Sequence, residues 1–197
     1  MKYTFFYKSK LSQWHIVDFV IDGIKYNCCE QYMMASKARL FDDKETYNKI
    51  MAATHPREQQ SLGRIVKGYN QDLWDKYKYN IVRNGNYHRF KQNKQDLEWL
   101  LATDGTLVEA SPVDGIWGVG LSANDPLIQN EKNWRGQNLL GKALTEVREM
   151  LRGELQNESK LVGNKGPVEY RSDCVFSSQS GIKTIPGGKF VNGVKED

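Results

Sequence analysis

The chain has 197 residues, of which 39% are hydrophobic and 26% are charged, a composition that excludes a disordered polymer and suits one domain with an appendage. No apolar run is long enough to span a membrane and the first ten residues lack the apolar core of a signal peptide, so we expect a cytoplasmic protein without a membrane partner. Three scattered histidines and three cysteines, two of them adjacent, argue against a metal site and a disulfide framework, while a net charge of +4 is compatible with a phosphate-bearing partner.

Two β-rich runs open the chain, and helical patterns follow them. The runs over 2–6 and 16–26 predict strands, and the Asp22-Gly23 pair within the second predicts a hairpin turn. A further short strand is predicted over 106–110. The helical patterns cover 28–41, 44–53, 56–67, 71–91 and 94–102.

The rest of the chain divides into a loop, a helix and an extension. Residues 111–136 are rich in glycine, proline, aspartate and asparagine without a hydrophobic period, which predicts a long loop of the kind that is often functional. The apolar stripe of 137–152 predicts an amphipathic helix. Because the composition turns polar after Gly153, we predict a domain over 1–153 and an accessory, partly ordered extension over 154–197.

The predicted helix over 28–41 carries two charges on its apolar side. With 3.6 residues per turn, Glu30 and Lys37 lie in the middle of the apolar arc and roughly 10 Å apart along the axis. Burying an unpaired charge costs several kcal/mol, so the arrangement needs a reason. Asn27 and Glu30 could form a capping box while Lys37 reaches water; alternatively, both charges line a pocket, as an acid or base and as a nucleophile or anion clamp. The opposite, polar side of the helix contains Gln31, Tyr32, Ser36 and Arg39.

The predicted loop combines an acid, two tryptophans and an arginine. Asp114 precedes Trp117, whose ring offers a stacking face, and Gly118, which lets backbone N–H groups approach a ligand. Trp134 and Arg135 lead into the next helix, whose N-terminus favours an anion. Alternatively, the tryptophans are core anchors and the glycine only turns the chain. For the whole cluster we favour a ligand site, because polar residues concentrate in a segment that contributes little core.

These stretches, in this order, resemble the NADAR family, also called YbiA-like. The matching motifs are EQYMM…KA from Glu30, LVEAS..D.IWG.GL from Leu107 and G.NLLG..L..VR from Gly136. The resemblance extends from about Phe5 to Leu151, and SQW at 12–14 stands where many members carry Ser-Asn-Phe. It implies an α+β fold, a compact and mostly helical single domain with a few short strands, and N-glycosidase activity on ribose attached to nitrogen.

The resemblance also implies site residues and substrates. The family's motif glutamate, its lysine and the aspartate before Trp-Gly correspond to Glu30, Lys37 and Asp114 as catalytic residues, with neither metal nor cofactor. Some members remove ADP-ribose from guanine in nucleic acid, and others cleave early riboflavin-pathway intermediates. We expect the first activity, with an ADP-ribosylated nucleic acid or a nucleotide-like small molecule as the partner. The alternatives are the riboflavin-pathway activity and a non-catalytic ADP-ribose reader.

The catalytic candidates suit the breaking of a ribosyl C1′–N bond. Positive charge builds on the ribose ring, where a carboxylate stabilises it while an acid protonates the leaving nitrogen. Glu30 and Asp114 would supply the two carboxyl groups. Lys37 would either form a Schiff base with C1′ of the opened ribose or hold a phosphate as a point charge.

The remaining candidates would bind the rest of the substrate. Trp117 and Trp134 would stack on the base or adenine, and Gly118 would let backbone N–H groups approach the ligand. Arg135 and the start of the 137–152 helix would take a phosphate. Asn138 would either bind ribose hydroxyls or hold the Asp114 loop in place. Two features receive no assignment. Glu109 is either a third pocket carboxylate or a strand residue facing solvent, and the basic stretch 83–94 is either a grip for nucleic acid or, as we favour, the solvated face of a helix.

Overall fold

The computed structural model of the protein describes residues 2–163. Its strands are β1 (Tyr3–Phe6), β2 (Phe19–Ile21), β3 (Ile24–Tyr26) and β4 (Thr106–Glu109). Its helices are α1 (Cys29–Leu40), α2 (Lys44–Ala52), α3 (Pro56–Arg64), α4 (Gln71–Gln92), α5 (Lys94–Leu101) and α6 (Leu139–Gly163). Between β4 and α6 the chain forms the predicted long loop, interrupted by two 3-10 turns at Pro126–Gln129 and Glu131–Asn133. The predicted α+β class, mostly helical with a few short strands, is confirmed.

The hairpin of β2 and β3 follows from its turn residues. The strands pair antiparallel, with Ile21 opposite Ile24. Asp22 and Gly23 connect them with φ values of 51° and 76°. Positive φ at both central residues matches the right-handed twist of the strands, and aspartate and glycine are the residue types that accept it.

The first and last strands form a second sheet that the sequence did not predict. β1 pairs in parallel with β4, with Tyr3 opposite Thr106 and Phe6 opposite Glu109. The paired residues lie 103 positions apart in the sequence, so no local signal could indicate the pairing. The pairing fixes Glu109, the last residue of β4, at the end of this small sheet.

Helix α1 lies at the centre of the domain, where it packs against α2, α3 and α4. The polar side of the helix, opposite Glu30 and Lys37, is buried as well: Gln31, Tyr32 and Ser36 all lie in the interior. Gln31 shows why a buried polar side is tolerated, because its Nε2 donates to the carbonyl groups of Ile50 and Met51 at 3.1 and 3.2 Å. Satisfied amide groups of this kind do not carry the cost of an unpaired buried polar group.

The basic stretch on α4 is largely structural. Arg89 is fully buried, and its Nη2 lies 3.0 Å from a carboxylate oxygen of the buried Asp96. Lys91 forms an ion pair of 2.8 Å with Glu154. Arg89 is therefore neither a contact for nucleic acid nor part of a solvated helix face, the two interpretations considered for residues 83–94.

Helix α6 is longer than predicted. It continues past Gly153 to Gly163, and Glu154 accepts a hydrogen bond of 2.7 Å from the Tyr87 hydroxyl on α4. The predicted boundary between 153 and 154 thus falls within a helix, although the division into domain and extension itself remains a prediction. The predicted short strand at 173–177 lies outside the described residues. None of the helices within 2–163 has the length and apolar character that a membrane crossing requires.

Candidate active site

Glu30 lies in the first turn of α1, yet it does not cap the helix. Cys28 is the N-cap, with its Sγ 3.4 Å from the backbone nitrogen of Gln31. Gln31, not Glu30, reaches back to accept a hydrogen bond of 2.8 Å from the Asn27 backbone nitrogen. The capping-box alternative for Asn27 and Glu30 is therefore wrong, and the Glu30 side chain is left without that structural role.

The Glu30 carboxyl group is buried without full hydrogen bonding. Its residue is 2% exposed, and within the described part of the chain its Oε1 has no hydrogen-bond partner. Burial raises the pKa of Glu30 to about 8, because water no longer stabilises the charged form. The Trp14 side chain donates a hydrogen bond that opposes the rise, and the charges of Asp114 and Glu109 add to it. Glu30 therefore retains its proton at neutral pH.

Three carboxyl groups interact electrostatically in this part of the molecule. Glu30 contributes one from α1, Glu109 one from the end of β4, and Asp114 one from the long loop. Burial, followed by the charge of Asp114, raises the pKa of Glu109 to about 7. The Oε2 of Glu109 is also buried and has no hydrogen-bond partner among the described residues. We refer to Glu30, Glu109 and Asp114 as the acidic trio.

Backbone hydrogen bonds fix Asp114 in the loop. Its Oδ1 accepts from the backbone nitrogens of Ile116 and Trp117, both at 2.8 Å. Gly118 closes the turn, because a Cβ there would lie 2.9 Å from the Glu109 carbonyl oxygen and 3.1 Å from that of Asp114. The tight turn holds one Asp114 oxygen and leaves the other available. Trp117 belongs to the same turn, and its indole is half-buried against the main core.

Asn138 connects the start of α6 to β4. Its Oδ1 accepts from the Glu109 backbone nitrogen, and its Nδ2 donates to the Leu107 carbonyl oxygen, both at 3.0 Å. The residue is fully buried and adopts a φ of 53°, which asparagine tolerates better than most residues. With both ends of its amide occupied, Asn138 fits the predicted alternative of holding the structure in place rather than binding ribose.

Lys37 lies two turns further along α1 and is half-buried. Its Nζ donates to the Gly63 carbonyl oxygen at 2.8 Å and lies 4.2 Å from the centre of the Tyr69 ring. Burial lowers its pKa. Arg64, the next residue of α3, is one of the charges that act on Glu30. The end of α3 therefore contacts Lys37, and the charges that act on Glu30 are those of Asp114, Glu109 and Arg64.

A model of one family, the NADAR domain, matches residues 5–152 of the chain. The chain belongs to the NADAR domain family. The family resemblance noted in the sequence is thus confirmed over most of the chain.

Named relatives and one solved structure accord with this membership. The chain is 42% identical to N-glycosidase R617 of Acanthamoeba polyphaga mimivirus, over 75% of this chain and 95% of that protein. It is 35% identical to N-glycosidase Npun_R5314 of Nostoc punctiforme, over 64% of this chain and 74% of that protein. The NMR structure of the E. coli protein YbiA superposes with a TM-score of 0.64 at 24% identity, over 79% of this chain and 89% of that one, which shows that the fold is shared.

Two of the predicted binding residues of this NADAR domain lie apart from the acidic trio. Trp134 packs on Tyr3 in a second, smaller core cluster, with 5.5 Å between ring centres, and its Nε1 donates to the Ile128 carbonyl oxygen at 2.8 Å. These contacts favour the anchoring alternative for Trp134. Arg135 is exposed beside the loop, where its backbone nitrogen donates to the Val119 carbonyl oxygen at 2.9 Å.

Three residues at the site of the NADAR domain were not assigned from the sequence. The strand of Glu109 is short, so alternation of polar and apolar residues does not establish which face this side chain occupies. Trp14, which is 37% exposed, and the exposed Arg64 lie in a loop and at a helix end, where no periodicity applies. The one available signal was the SQW segment at 12–14, which departs from the Ser-Asn-Phe of many family members.

The arrangement suits proton transfer next to a developing positive charge. A protonated buried carboxyl group can act as an acid, and two more carboxyl groups lie within its electrostatic reach. Two open surface depressions are lined by other residues, one by α2 and α3 and one by Lys10, His15 and Asp96. Within residues 2–163, no three His, Cys, Asp or Glu side chains are placed to hold a metal ion.

Proposed function

We propose that this NADAR domain is an N-glycosidase that hydrolyses the bond between C1′ of ribose and a base or amine nitrogen. The observation that carries the proposal is the buried Glu30, whose raised pKa keeps a proton available beside two further carboxyl groups. A carboxyl group in this state costs stability and serves no packing need. The names of the relatives R617 and Npun_R5314, both N-glycosidases, support the same reaction class.

In the proposed chemistry, different carboxyl groups have different roles. Cleavage of the C1′–N bond leaves the electron pair on nitrogen, and Glu30 supplies the proton that this nitrogen needs. Positive charge accumulates on the ribose ring, and the free oxygen of Asp114 stabilises it. A water oxygen then bonds to C1′ and loses a proton, which returns Glu30 to its protonated form. Two carboxyl groups in different protonation states accomplish the same task in glycoside hydrolysis.

We further propose ADP-ribosylated guanine in nucleic acid as the substrate. Trp14 and Trp117 each present part of an indole near the trio, and such faces suit stacking on a base. Arg64 lies within electrostatic reach of Glu30, and within the described residues neither it nor Arg135 forms an ion pair with an acid. A phosphate of the substrate would complement Arg64, whereas Arg135 lies apart from the trio and remains a candidate only for more distant parts of the substrate. Trp134 and Arg89 do not contribute to this proposal, because their contacts are internal.

Lys37 has two possible roles in the reaction. Its half-buried amine, with a pKa lowered by burial, is suited to attack C1′ of an opened ribose as a nucleophile. Alternatively, its ammonium form holds a phosphate while Tyr69 and the Gly63 carbonyl oxygen position it. Both roles place the amine beside the end of α3, close to the substrate path that Arg64 would mark.

Incubation with two substrates tests the proposal. One is an oligonucleotide with ADP-ribosylated guanine and the other a ribosylaminopyrimidine phosphate, with products identified by mass spectrometry. We expect release of free ADP-ribose and unmodified oligonucleotide, and at least a hundredfold loss of kcat in Glu30→Gln. The matched control is Glu98→Gln, which changes an exposed acid on α5.

Three other results would count against the proposal. Turnover of the pyrimidine substrate alone would replace the proposed substrate with the riboflavin-pathway class. Stoichiometric binding without turnover would favour a reader of ADP-ribose. Full activity of a folded Glu30→Gln protein would remove Glu30 from the mechanism.

A further inference from the structure

Glu109 is a buried acid that the proposed mechanism does not yet use. Its carboxyl group is largely shielded from water, its Oε2 has no hydrogen-bond partner in the described part of the chain, and it forms none of the ion pairs found there. Most buried polar atoms in folded proteins are satisfied, so an unsatisfied carboxylate oxygen needs an explanation. A ligand or an attacking water molecule would provide the missing partner.

The backbone of Glu109 is held from both sides. Its nitrogen donates to Asn138 Oδ1 at 3.0 Å, and its carbonyl oxygen accepts from the Val119 nitrogen at 2.9 Å. The next residue, Ala110, donates from its nitrogen to the Phe6 carbonyl oxygen at 2.8 Å. The main chain is therefore fixed at this position, while Oε2 of the side chain has no hydrogen-bond partner among the described residues. That combination suits a preorganised functional group better than a structural one.

The environment of Glu109 differs from that of Glu30 in a way that suits separate roles. Glu30 is 2% exposed, whereas Glu109 is only partly buried as a residue, so water can reach its surroundings more easily. The charge of Asp114 acts on both groups. Carboxyl groups that repel each other do not readily ionise together, and the better hydrated one loses its proton first. Glu109 is accordingly the carboxylate of the pair and Glu30 the acid.

We propose that Glu109 is the general base that removes a proton from the water molecule attacking C1′. This inference rests on the proposed N-glycosidase function. The water O–H bond breaks and its proton goes to the Glu109 carboxylate, while the water oxygen bonds to C1′. The C1′–N bond breaks, its electron pair stays on nitrogen, and nitrogen takes the proton of Glu30. A proton then passes from Glu109 to Glu30 through solvent, which restores both groups.

The acid–base properties agree with this division of roles. Burial and Asp114 raise the pKa of Glu109 to about 7, and that of Glu30 lies higher, at about 8. A base with a pKa near the working pH can both accept and release a proton in each turnover. Activity should therefore fall below about pH 7 as Glu109 gains a proton, and above about pH 8 as Glu30 loses one.

Azide rescue of Glu109→Gln tests the proposal. Azide is already an anion, so it attacks C1′ without a base, and nitrogen still receives the Glu30 proton. We expect Glu109→Gln to reduce kcat by 10²- to 10⁴-fold with KM within about threefold, the usual range for loss of an acid or base. Sodium azide should raise the kcat of the variant at least tenfold and yield the ribosyl azide, identified by mass spectrometry. The acidic limb of the pH profile should disappear in the variant.

Control variants separate this proposal from the proposed function. Glu30→Gln should gain nothing from azide, because the leaving nitrogen still lacks its proton, and Glu98→Gln should behave like the wild type. Should Glu109→Gln fail to fold, Glu109→Asp withdraws the carboxylate by one methylene and should also gain from azide. Near-wild-type kcat in a folded Glu109→Gln protein, or a loss that azide does not relieve, would overturn the proposal. Absence of turnover in the wild type would overturn the N-glycosidase function and this proposal with it.

Discussion

At the scale of single residues, folding and the proposed chemistry make opposite demands on Glu30. A buried carboxyl group without full hydrogen bonding destabilises a fold, and its neighbours Asp114 and Glu109 add repulsion. Packing does not need the group, since Cys28 and Gln31 form the helix cap. Such conflicts between local preference and global structure are concentrated at functional sites.

Lys37→Arg distinguishes the two roles of the lysine. Arginine keeps the positive charge but cannot form an imine, so we expect at least a hundredfold loss of kcat if Lys37 acts covalently. Borohydride added during turnover should then attach the ribosyl group to Lys37, which peptide mass spectrometry would locate. The exposed Lys67 serves as the matched position, because Lys67→Arg should leave both readouts unchanged. A folded Lys37→Arg protein with full activity would exclude covalent catalysis and leave the anion-clamp role.

At the scale of elements, α1 is held by close approaches of its neighbours. A Cβ on Gly85 of α4 would lie 2.5 Å from Cδ1 of Tyr32, and the Tyr32 ring itself packs edge-on against Tyr26 with 5.1 Å between centres. The Tyr32 hydroxyl also accepts a hydrogen bond of 2.8 Å from Asn84. The ring has no room to move aside, so glycine at position 85 sets how closely α1 and α4 pack.

Two glycine-to-alanine variants should therefore change stability in opposite directions. Gly85→Ala should destabilise the protein by about 1–3 kcal/mol through overpacking. Gly153→Ala should stabilise it by up to about 1 kcal/mol, because no atom lies within 4 Å of the added Cβ and alanine favours a helix. Urea denaturation would measure both. No gain from Gly153→Ala would contradict the continuity of α6 across position 153.

The connection between α6 and β4 gives a second prediction for elements. Asn138→Ala removes two side-chain hydrogen bonds and leaves the Glu109 nitrogen and the Leu107 carbonyl oxygen unpaired, so we expect a loss of about 2–3 kcal/mol in the free energy of unfolding. Asn138→Gly relieves the positive φ without restoring those bonds, and should recover only part of the loss. Equal stability of Asn138→Gly and the wild type in urea denaturation would show that the hydrogen bonds contribute nothing.

The success of sequence-based prediction follows the range of the interactions. Helix periodicity and the Asp22-Gly23 turn are local, and the elements that they predicted agree with the structure within a few residues at most ends. The pairing of β1 with β4 joins distant residues, and the burial of Gln31 depends on carbonyl groups of α2, so neither had a local signal. The same reasoning applies to the site. Glu30 stood out against an apolar helix face, whereas Glu109 became distinctive only when the loop brought Asp114 beside it.

At the scale of the whole molecule, the acidic trio makes the stability of the fold depend on pH. The pKa of Glu30 rises from an ordinary value of 4.5 to about 8 on folding. The folded state therefore holds a proton that the unfolded state has released between these values. Stability falls with rising pH wherever the folded state binds more protons than the unfolded state. Glu30 therefore lowers the free energy of unfolding as the pH rises from about 4.5 to 8. Glu109 acts in the same direction up to about pH 7.

Glu30→Gln should remove much of this dependence, because glutamine keeps the shape of the side chain and has no proton to lose. We expect wild type and variant to have similar unfolding free energies near pH 5, and the variant to be more stable by up to about 4 kcal/mol near pH 8.5, where an ionised buried carboxylate is most costly. Urea midpoints at several pH values would measure the difference, with Glu98→Gln as a control that follows the wild type. Because this readout needs no substrate, it tests the burial and coupling of the trio independently of any activity. Parallel curves for Glu30→Gln and the wild type would mean that the Glu30 carboxyl group is solvated in the folded protein, and the proton that the proposed chemistry requires would not be retained at neutral pH.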